Sequence, residues 1–178
     1  MKWVKKGLIF EPPEDLSWMA THAALPYAAK VADHHRVYFS GRDNKGRSQI
    51  GYFEIDMGHP EEVLRISERP VLELGPLGSF DDSGLTSAAV VNHNGKKYQY
   101  YSGWSLGATV PFYFYIGLAI SEDGGGTFHK VSSAPILERN DADPYLTASP
   151  SVLIEDGVWR MWYVSGTKWE ADNGQPKH

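Results

Sequence analysis

The sequence contains no cysteine among its 178 residues. Disulfide bonds, thiolate metal sites and a cysteine nucleophile are therefore excluded, while the redox compartment stays open. The sequence also has no basic stripe, and its formal net charge of −5 argues against nucleic acid as a partner. Apolar runs long enough to cross a membrane are missing as well, so no membrane interaction is predicted.

The N-terminal segment MKWVKKGLIFEPPEDL has a charged start but only the short apolar run GLIF. A signal-peptide core needs roughly 7–15 apolar residues, so the sequence favours a cytoplasmic protein. What the chain does have is an ordinary globular composition, with 42% hydrophobic and 22% charged residues. Its aromatic content of 13% favours strands and the flat stacking surfaces on which sugars bind.

Three segments share a pattern that ends in Ser-Gly, and their serines, Ser40, Ser102 and Ser165, stand at nearly equal spacings. Each segment has a polar turn followed by an alternating aromatic run, and in the second and third a small-residue apolar run precedes the turn. A second repeat lies between them, where RISERPVLELG matches KVSSAPILERN through Pro70 and Pro135. Self-similarity at a regular spacing indicates a fold built from repeated supersecondary units.

The order of elements within each repeat predicts four antiparallel strands, of which the first is the most buried. Amphipathic helix periodicity is absent, so the sequence predicts an all-β fold made of β-propeller blades. We expect about two and a half blades in one domain, with boundaries at about residues 20–75, 80–138 and, incompletely, 145–178. Residues 1–12 would form a strand that closes the ring.

The stretch SEDGGGTF predicts a tight turn between the third and fourth strands of the second repeat. Its residues Ser121, Asp123, Gly125, Thr127 and Phe128 resemble the Asp-box of sialidases and related propellers. This resemblance implies a structural turn on the rim away from the active site. The chemistry of Asx-type turns leads to the same interpretation.

The larger pattern, with PVLELGPLGSFDDSGLTSAAVV and SPSVLIEDGVWRMWYVSG, resembles the five-bladed propellers of glycoside hydrolase families 43, 32 and 130. The resemblance covers about residues 20–169, and the chain is then a truncated member of that group. It implies a carbohydrate-facing funnel on the rim opposite the Asp-box turn. Fold alone does not establish a reaction.

Glycosidic cleavage needs a pair of carboxylates that flank the scissile bond, so the adjacent Asp81 and Asp82 are the first candidates. Their side chains point apart in an extended segment, and we expect Asp82 to be catalytic and Asp81 to contact substrate. The alternative is a solvated turn. His22 stands near the place where the resembling families carry a catalytic Asp, and could act as acid or base or be a satisfied structural histidine.

In the third repeat no carboxylate stands where family 43 enzymes carry their acid. Asp141 and Asp143 lie a few residues upstream and would reach the funnel if their loop folds over it, and Asp143 is the third catalytic candidate. The competing interpretation is that they cap a turn at Pro144.

Four residues in the links after second strands are candidates for substrate binding. Trp104 would serve as a platform for a sugar ring, or pack against a neighbouring loop. Arg42 would bind a carboxylate, sulfate or phosphate through its planar fork, or remain on a solvated surface. Lys168 and Trp169 occupy the equivalent link of the third repeat.

The predicted partner is carbohydrate, and two function classes stay open. The first is a glycoside hydrolase; the second is a carbohydrate-binding or assembly module without turnover. The histidines show no metal-ligand spacing, so no metal and no cofactor are predicted, although a divalent ion held by carboxylates and water stays open. The incomplete third repeat predicts either a homodimer, in which each N-terminal strand completes the half blade of the other copy, or a fragment of a longer chain.

Overall fold

The computed structural model describes residues 2–5 and 7–177. Two antiparallel four-stranded units follow each other along the chain, and one parallel residue pair, Ser48 with Gly84, joins them into a single eight-stranded sheet. We call them the first and second units. The strands of the first unit are β1 (Thr21–Val31), β2 (His34–Arg42), β3 (Ser48–Asp56) and β4 (His59–Ile66). Those of the second unit are β5 (Gly84–His93), β6 (Lys96–Leu106), β7 (Phe112–Ser121) and β8 (His129–Lys130).

The third unit consists of a single antiparallel pair, and a short hairpin follows it. The pair is β9 (Leu146–Glu155) and β10 (Val158–Gly166), and the hairpin is β11 (Glu170–Asp172) and β12 (Gln175–Lys177). Within the described residues the only helix is one 3₁₀ turn at Ser17–Met19. The predicted all-β fold of four-stranded antiparallel units is therefore confirmed.

Local sequence explains how the first two strands of the later units are joined. Asn94 and Gly95 both have positive φ, at 48° and 76°, and so do Asp156 and Gly157, at 52° and 75°. This is the conformation of a two-residue type I′ hairpin turn, which Asn-Gly and Asp-Gly favour. Each pair thus fixes the register of the strands on either side of it.

The main core lies between the first and second units. Its fully buried members include Tyr38, Ile50, Leu85 and Tyr101. A smaller cluster covers the other side of the first unit, where Phe10 of the N-terminal segment stacks on Phe53 with ring centroids 4.5 Å apart. Both sides of the first unit are therefore packed against other parts of the chain.

The described part of the N-terminal segment, residues 2–5 and 7–13, forms no regular strand. Met1 and Lys6, which belong to the expected ring-closing strand at residues 1–12, lie outside the described residues. Ring closure by this segment stays a prediction.

Adjacent units are joined by side chains more than by strand pairing. β3 and β5 share one parallel pair, Ser48 with Gly84. The Ser87 N–H of β5 donates to Ser40 Oγ at 3.0 Å, and the Ser149 N–H of β9 donates to Ser102 Oγ at 2.8 Å. We call these two bonds the serine staples, since each ties a second strand to the first strand of the following unit.

The third Ser-Gly does not occupy the staple position. Ser102 pairs with Thr86, which directly precedes the staple donor Ser87. In the third unit the residue that directly precedes the staple donor Ser149 is Ala148, and its partner is Val164, not Ser165. Val164, not Ser165, is therefore the structural equivalent of Ser102. The sequence alignment that matched Ser165 with Ser102 was wrong by one residue.

Candidate functional site

A line of cross-strand neighbours crosses one end of the first and second units. Each member is the register partner of the next, from β1 through β7. We call this line the rim row: Thr21, Arg42, Ser48, Gly84, Trp104 and Phe114. Arg42 and Trp104, two of the substrate-binding candidates from the sequence, therefore lie on the same edge of the molecule.

Trp104 is fixed in orientation by its neighbours on the rim row. Its indole Nε1–H donates to Ser48 Oγ at 2.9 Å. The ring lies over Gly84, where a Cβ would come within 2.0 Å of Nε1, so this close approach requires glycine. The indole stays half-buried, and it is therefore a held aromatic surface at the rim.

Three further half-buried aromatic rings continue from Trp104. The ring centroids of Trp104 and Phe114 are 6.4 Å apart, those of Phe114 and Phe112 are 5.0 Å apart, and those of Phe112 and Trp169 are 5.6 Å apart. We call these four residues the aromatic rim. The structure thus brings together Trp104 and Trp169, which the sequence proposed from separate repeats.

Phe112 and Phe114 were missed by the sequence analysis. The stretch FYFYIGLAI was interpreted only as a third strand. The alternation of Phe and Tyr in FYFY indicates that the two phenylalanines share a face, because residues two apart point to the same side of a strand. Two phenylalanines at the start of β7, next to the link after Trp104, therefore had to share a face at this rim.

Asp82 lies beside the aromatic rim on the loop before β5. The neighbouring Ser83 N–H donates to the Trp104 carbonyl oxygen at 3.2 Å, which places the loop along the end of β6. The half-buried Asp82 carboxylate accepts from the Gly78 N–H at 2.9 Å and from Ser83 Oγ at 2.7 Å. An ionised carboxylate can accept further hydrogen bonds, so Asp82 retains capacity toward a ligand.

His22 and Arg42 lie at the other end of the rim row, and both are exposed. The His22 ring nitrogen Nδ1 is 2.9 Å from Thr21 Oγ1, and Thr21 is the register partner of Arg42. His22 has a positive φ of 64°, an uncommon conformation for a residue with a side chain. The rim row therefore connects Arg42 with Trp104 along one edge, and His22 lies next to its first member, Thr21.

Asp81 does not open onto this edge. Its side chain is 1% exposed, and it accepts from the Tyr101 hydroxyl at 3.0 Å and from Ser79 Oγ at 2.9 Å. Lys130 Nζ lies 2.6 Å from its carboxylate. The side chain is enclosed by partners of its own chain, and it holds the loop before β5 against the second unit.

Asp143 repeats this arrangement on the loop before β9. It is 6% exposed and accepts from the Tyr163 hydroxyl at 2.9 Å and from Asn140 Nδ2 at 3.1 Å. Hydrogen bonds from Ser165, Tyr163 and Asn140 hold the pKa of Asp143 below its ordinary value. The carboxylate is engaged in fixing its own loop, in the same way as Asp81.

Lys168 is exposed and forms an ion pair with Glu170. Both residues border a pocket of about 510 Å³ that Leu146 and Val164 also line. This pocket lies at the end of the third unit, next to Trp169.

The first strands of the three units converge on a small pocket of about 210 Å³. Each first strand contributes two adjacent residues at equivalent positions of the repeat, and the lining consists of Leu25, Pro26, Ser87, Ala88, Ser149 and Pro150. Ser87 is buried, and its hydroxyl has no hydrogen-bond partner among the residues that the structure describes. Leu25 and Ser149 have positive φ, at 53° and 51°, and strained backbone of this kind clusters at ligand sites. We call it the axial pocket; no carboxylate lines it.

The turn at Ser121–Phe128 lies at the opposite end of the second unit from the aromatic rim. Asp123 Oδ1 accepts from Ser121 Oγ at 2.6 Å and from the N–H groups of Gly126 and Thr127 at 2.9 and 3.1 Å. Burial by itself raises the pKa of Asp123, but hydrogen bonds from Ser121, Thr127 and backbone N–H groups outweigh it and hold the pKa far below the usual range. Asp123 therefore acts as a structural acceptor that organises the turn.

The described residues contain neither a metal-binding cluster nor a membrane-spanning helix. No group of three or more His, Asp or Glu side chains there is placed to hold a metal ion. No helix among them is long and apolar enough to span a membrane.

Sequence comparisons identify longer relatives. No family model matches the chain. Two uncharacterized proteins, from two strains of Mycobacterium tuberculosis, are each 38% identical over 179 aligned residues, and the alignment covers 100% of this chain and 60% of each relative. The chain thus spans 60% of the length of the curated relatives that it matches.

Solved structures of similar fold include glycoside hydrolases and proposed glycosidases. A proposed glycosidase from Bacteroides thetaiotaomicron has a TM-score of 0.69 and 16% identity, covering 88% of this chain and 52% of that one. A family 117 glycoside hydrolase from Zobellia galactanivorans has a TM-score of 0.57 and 17% identity, covering 89% and 48%. A family 43 β-xylosidase/α-arabinofuranosidase from a compost metagenome has a TM-score of 0.55 and 19% identity, covering 89% and 46%.

This chain has the β-propeller fold of these glycoside hydrolases. The predicted fold class is therefore confirmed, and the likeness extends over most of the chain. At identities below a fifth, the comparison concerns the arrangement of strands and carries no reaction with it.

Proposed function

We propose that this chain binds carbohydrate through the aromatic rim. The observation that carries the proposal is the continuous set of half-buried rings at Trp104, Phe114, Phe112 and Trp169. Fixed aromatic faces offer apolar area at low cost in conformational entropy, and polar groups beside them give orientation. Asp82 supplies an acceptor at one side of the rim, while Arg42 and His22 supply donors along the rim row.

Binding is favoured over hydrolysis by the positions of the carboxylates. Glycosidic cleavage needs two carboxyl groups roughly 5–10 Å apart on either side of the bond. Of the predicted aspartates, Asp82 lies at the rim, whereas Asp81 and Asp143 are enclosed by partners of their own. The lining of the axial pocket supplies hydroxyl groups and apolar surface instead.

A second candidate function is glycoside hydrolysis with Asp82 as the acid or base and His22 assisting. The contact of the Asp82 loop with β6 beside Trp104 favours it, and so does the fold shared with glycoside hydrolases. The relatives extend beyond the matched region, and a homologue of full length could supply the second carboxylate. In either case we propose that the Ser121–Phe128 turn is an Asp-box with a purely structural role.

Binding is tested by calorimetric titration of the purified chain with xylotriose and with arabino-oligosaccharides. We expect Trp104→Ala to weaken binding roughly tenfold, which is about 1.4 kcal/mol, because the indole that Ser48 holds at one end of the aromatic rim is lost. Trp3→Ala is the matched control, since Trp3 is 90% exposed and outside the rim. Equal affinity in the two variants, or no binding of any oligosaccharide, would contradict the proposal.

Hydrolysis is tested with chromogenic aryl glycosides in the same preparations. Release of the aryl group by the chain, and its loss in Asp82→Asn, would establish the second function. If the chain binds oligosaccharides but releases no aryl group, and Asp82→Asn changes only the affinity, the binding function alone is supported.

A further inference from the structure

Arg42 is an exposed cation on the rim row, and it forms no ion pair with any residue that the structure describes. The neighbouring acid, Asp43, is engaged by Arg47, whose Nη2 lies 2.8 Å from the Asp43 carboxylate. Asp43 Oδ1 also accepts from the N–H groups of Lys45 and Arg47, both at 2.9 Å. The Arg42 guanidinium therefore keeps its planar set of donors for a ligand.

The register of the strands places the Arg42 side chain on the same face as the indole of Trp104. Arg42 is the partner of Ser48 on β3, and directly opposite side chains lie on one face with Cβ atoms about 4.5–5.5 Å apart. The Trp104 Nε1–H donates to the hydroxyl of the same Ser48 at 2.9 Å. Ser48 is thus a shared neighbour of the cation and the aromatic ring, and one ligand can contact both.

The other neighbours of Arg42 on this edge are polar and uncharged by any acid. Thr21 on β1 is its second register partner, and Thr21 Oγ1 lies 2.9 Å from His22 Nδ1. Both residues are exposed. A hydroxyl and an imidazole can each donate a hydrogen bond to an anion, and none of the six residues of the rim row is acidic.

The carboxylate of Asp82 gives the rim row a direction. Asp82 lies on the loop that contacts the Trp104 end of the row, and it already accepts from the Gly78 N–H and from Ser83 Oγ. A negative group on a ligand is repelled by this carboxylate and attracted by Arg42. Ligand hydroxyls, in contrast, can donate to Asp82. The two ends of the row therefore favour different parts of one ligand.

We propose that the carbohydrate bound at the aromatic rim is acidic, and that Arg42 binds its carboxylate or sulfate group. Since it names the ligand class of the same site, this proposal rests on the proposed binding function. A sugar ring lies on the Trp104 indole, and the guanidinium donates two parallel hydrogen bonds to the oxygens of the anion. Arg42 is then the residue that determines specificity for charged over neutral oligosaccharides.

Calorimetric titration with matched pairs of ligands tests the charge preference. Trigalacturonate and its fully methyl-esterified form share sugar and linkage and differ in charge, and a sulfated oligosaccharide with its desulfated form makes the same comparison for sulfate. We expect one acidic ligand to bind at least about tenfold more tightly than its neutral form, because hydrogen bonds to charged groups are the stronger ones. The pair that shows the preference identifies the anion, and added salt should reduce that preference.

Variants of Arg42 assign the preference to this side chain. In Arg42→Gln the ratio of the two affinities should fall to unity, whereas Arg42→Lys should keep part of it, because an ammonium group retains the charge without the planar fork. Arg69→Gln is the matched control. Arg69 is also an exposed arginine, and it lies beside Gly126 and Thr127 of the turn at the opposite end from the aromatic rim. Far-UV circular dichroism of each variant reports whether it is folded.

The outcomes separate this proposal from the binding function on which it rests. If neutral oligosaccharides bind in a manner that depends on Trp104, and the acidic forms bind no more tightly, acidic specificity is overturned while carbohydrate binding stands. A preference that Arg42→Gln leaves intact would likewise overturn the role of Arg42. If neither charged nor neutral oligosaccharides bind, both proposals are overturned.

Discussion

Tyr38 joins the first two units through its phenol hydroxyl. The side chain is fully buried, and its hydroxyl donates to the Gly125 carbonyl oxygen at 3.0 Å. Burial, opposed only in part by the nearby Arg36, raises the pKa of Tyr38 to about 12. The folded protein therefore favours the neutral phenol at pH values where an unfolded chain would ionise it.

We expect the free energy of unfolding to fall as the pH rises from about 10 toward 12. The phenol of an unfolded chain ionises near pH 10, so the stabilisation is complete below that pH and is lost as the pH passes through the folded value. The loss from this group should be about 2–3 kcal/mol. Urea unfolding at several alkaline pH values measures it, and Tyr38→Phe should show a smaller pH dependence than Tyr145→Phe, in which an exposed tyrosine is changed.

Adjacent residues in this sequence have different environments that composition does not reveal. Asp81 and Asp82 were both expected at the rim, and the alternation of an extended segment showed that only one would face outward. Asp82 is half-buried next to Ser83, which bonds the Trp104 carbonyl oxygen, and its catalytic role stays a prediction. The enclosure of Asp81 was not predictable, because it depends on Tyr101 and Lys130, which lie much further along the chain.

At the scale of single elements, the Ser121–Phe128 turn of the second unit requires two consecutive residues in the left-handed backbone region. Gly124 and Gly125 both have positive φ, at 77° and 93°. They differ in their surroundings, because a Cβ on Gly125 would lie 2.1 Å from the Tyr38 hydroxyl oxygen, while a Cβ on Gly124 would meet nothing within 4 Å. A substitution at Gly124 therefore introduces backbone strain alone, whereas one at Gly125 adds a steric clash with Tyr38.

Gly125→Ala should lower the free energy of unfolding by more than Gly124→Ala does. We expect about 1 kcal/mol for Gly124→Ala, from the left-handed backbone alone. Gly125→Ala should cost about 2 kcal/mol more, since overpacking at a filled site adds to the same strain. Chemical denaturation of both variants provides the comparison, and equal losses would show that the turn moves away from Tyr38 at little cost.

The interrupted pairing of the fourth strands was not predictable from the sequence pattern. The sequence predicted a fourth strand in each of the first two units, running into the repeat that contains Pro70 and Pro135. The structure has pairing that stops and resumes, with isolated bridges from Ile50 to Leu72 and from Ile116 to Leu137. Proline has no N–H to donate to a strand partner, so the ladder resumes only after each proline.

At the scale of the whole molecule, the serine staples add to the core between the first two units, which share only one residue pair of strand pairing. The Ser87 N–H is buried where it donates to Ser40 Oγ. Removing the hydroxyl leaves this donor without an acceptor, and an unpaired buried donor costs about 1–3 kcal/mol.

Ser40→Ala should therefore lower the free energy of unfolding by about 1–3 kcal/mol. Ser133→Ala, at an exposed serine, should change it by less than about 0.5 kcal/mol. Urea unfolding followed by tryptophan fluorescence measures both. A loss in Ser40→Ala no larger than in the control would mean that water or a rearranged loop replaces the staple.

The repeat made the whole-molecule fold predictable, since a long regular period with four strand patterns is satisfied by few architectures. The aromatic rim was only half predictable. Trp104 and Trp169 were found because each follows a second strand, whereas their connection through Phe112 and Phe114 depends on how two units sit side by side. The register of the third unit was misjudged, because Ser-Gly occurs there one position late.

The N-terminal segment that covers the first unit has a consequence for synthesis. Residues 7–10 leave the ribosome before the strands on which they lie, and domains generally fold in the order in which they emerge. The apolar surface of Val37, Phe39 and Phe53 can therefore be shielded as soon as β3 is complete, without waiting for any later unit. The chain carries its own cover for the first sheet that it makes, and the nascent protein is protected from aggregation at that end from an early stage.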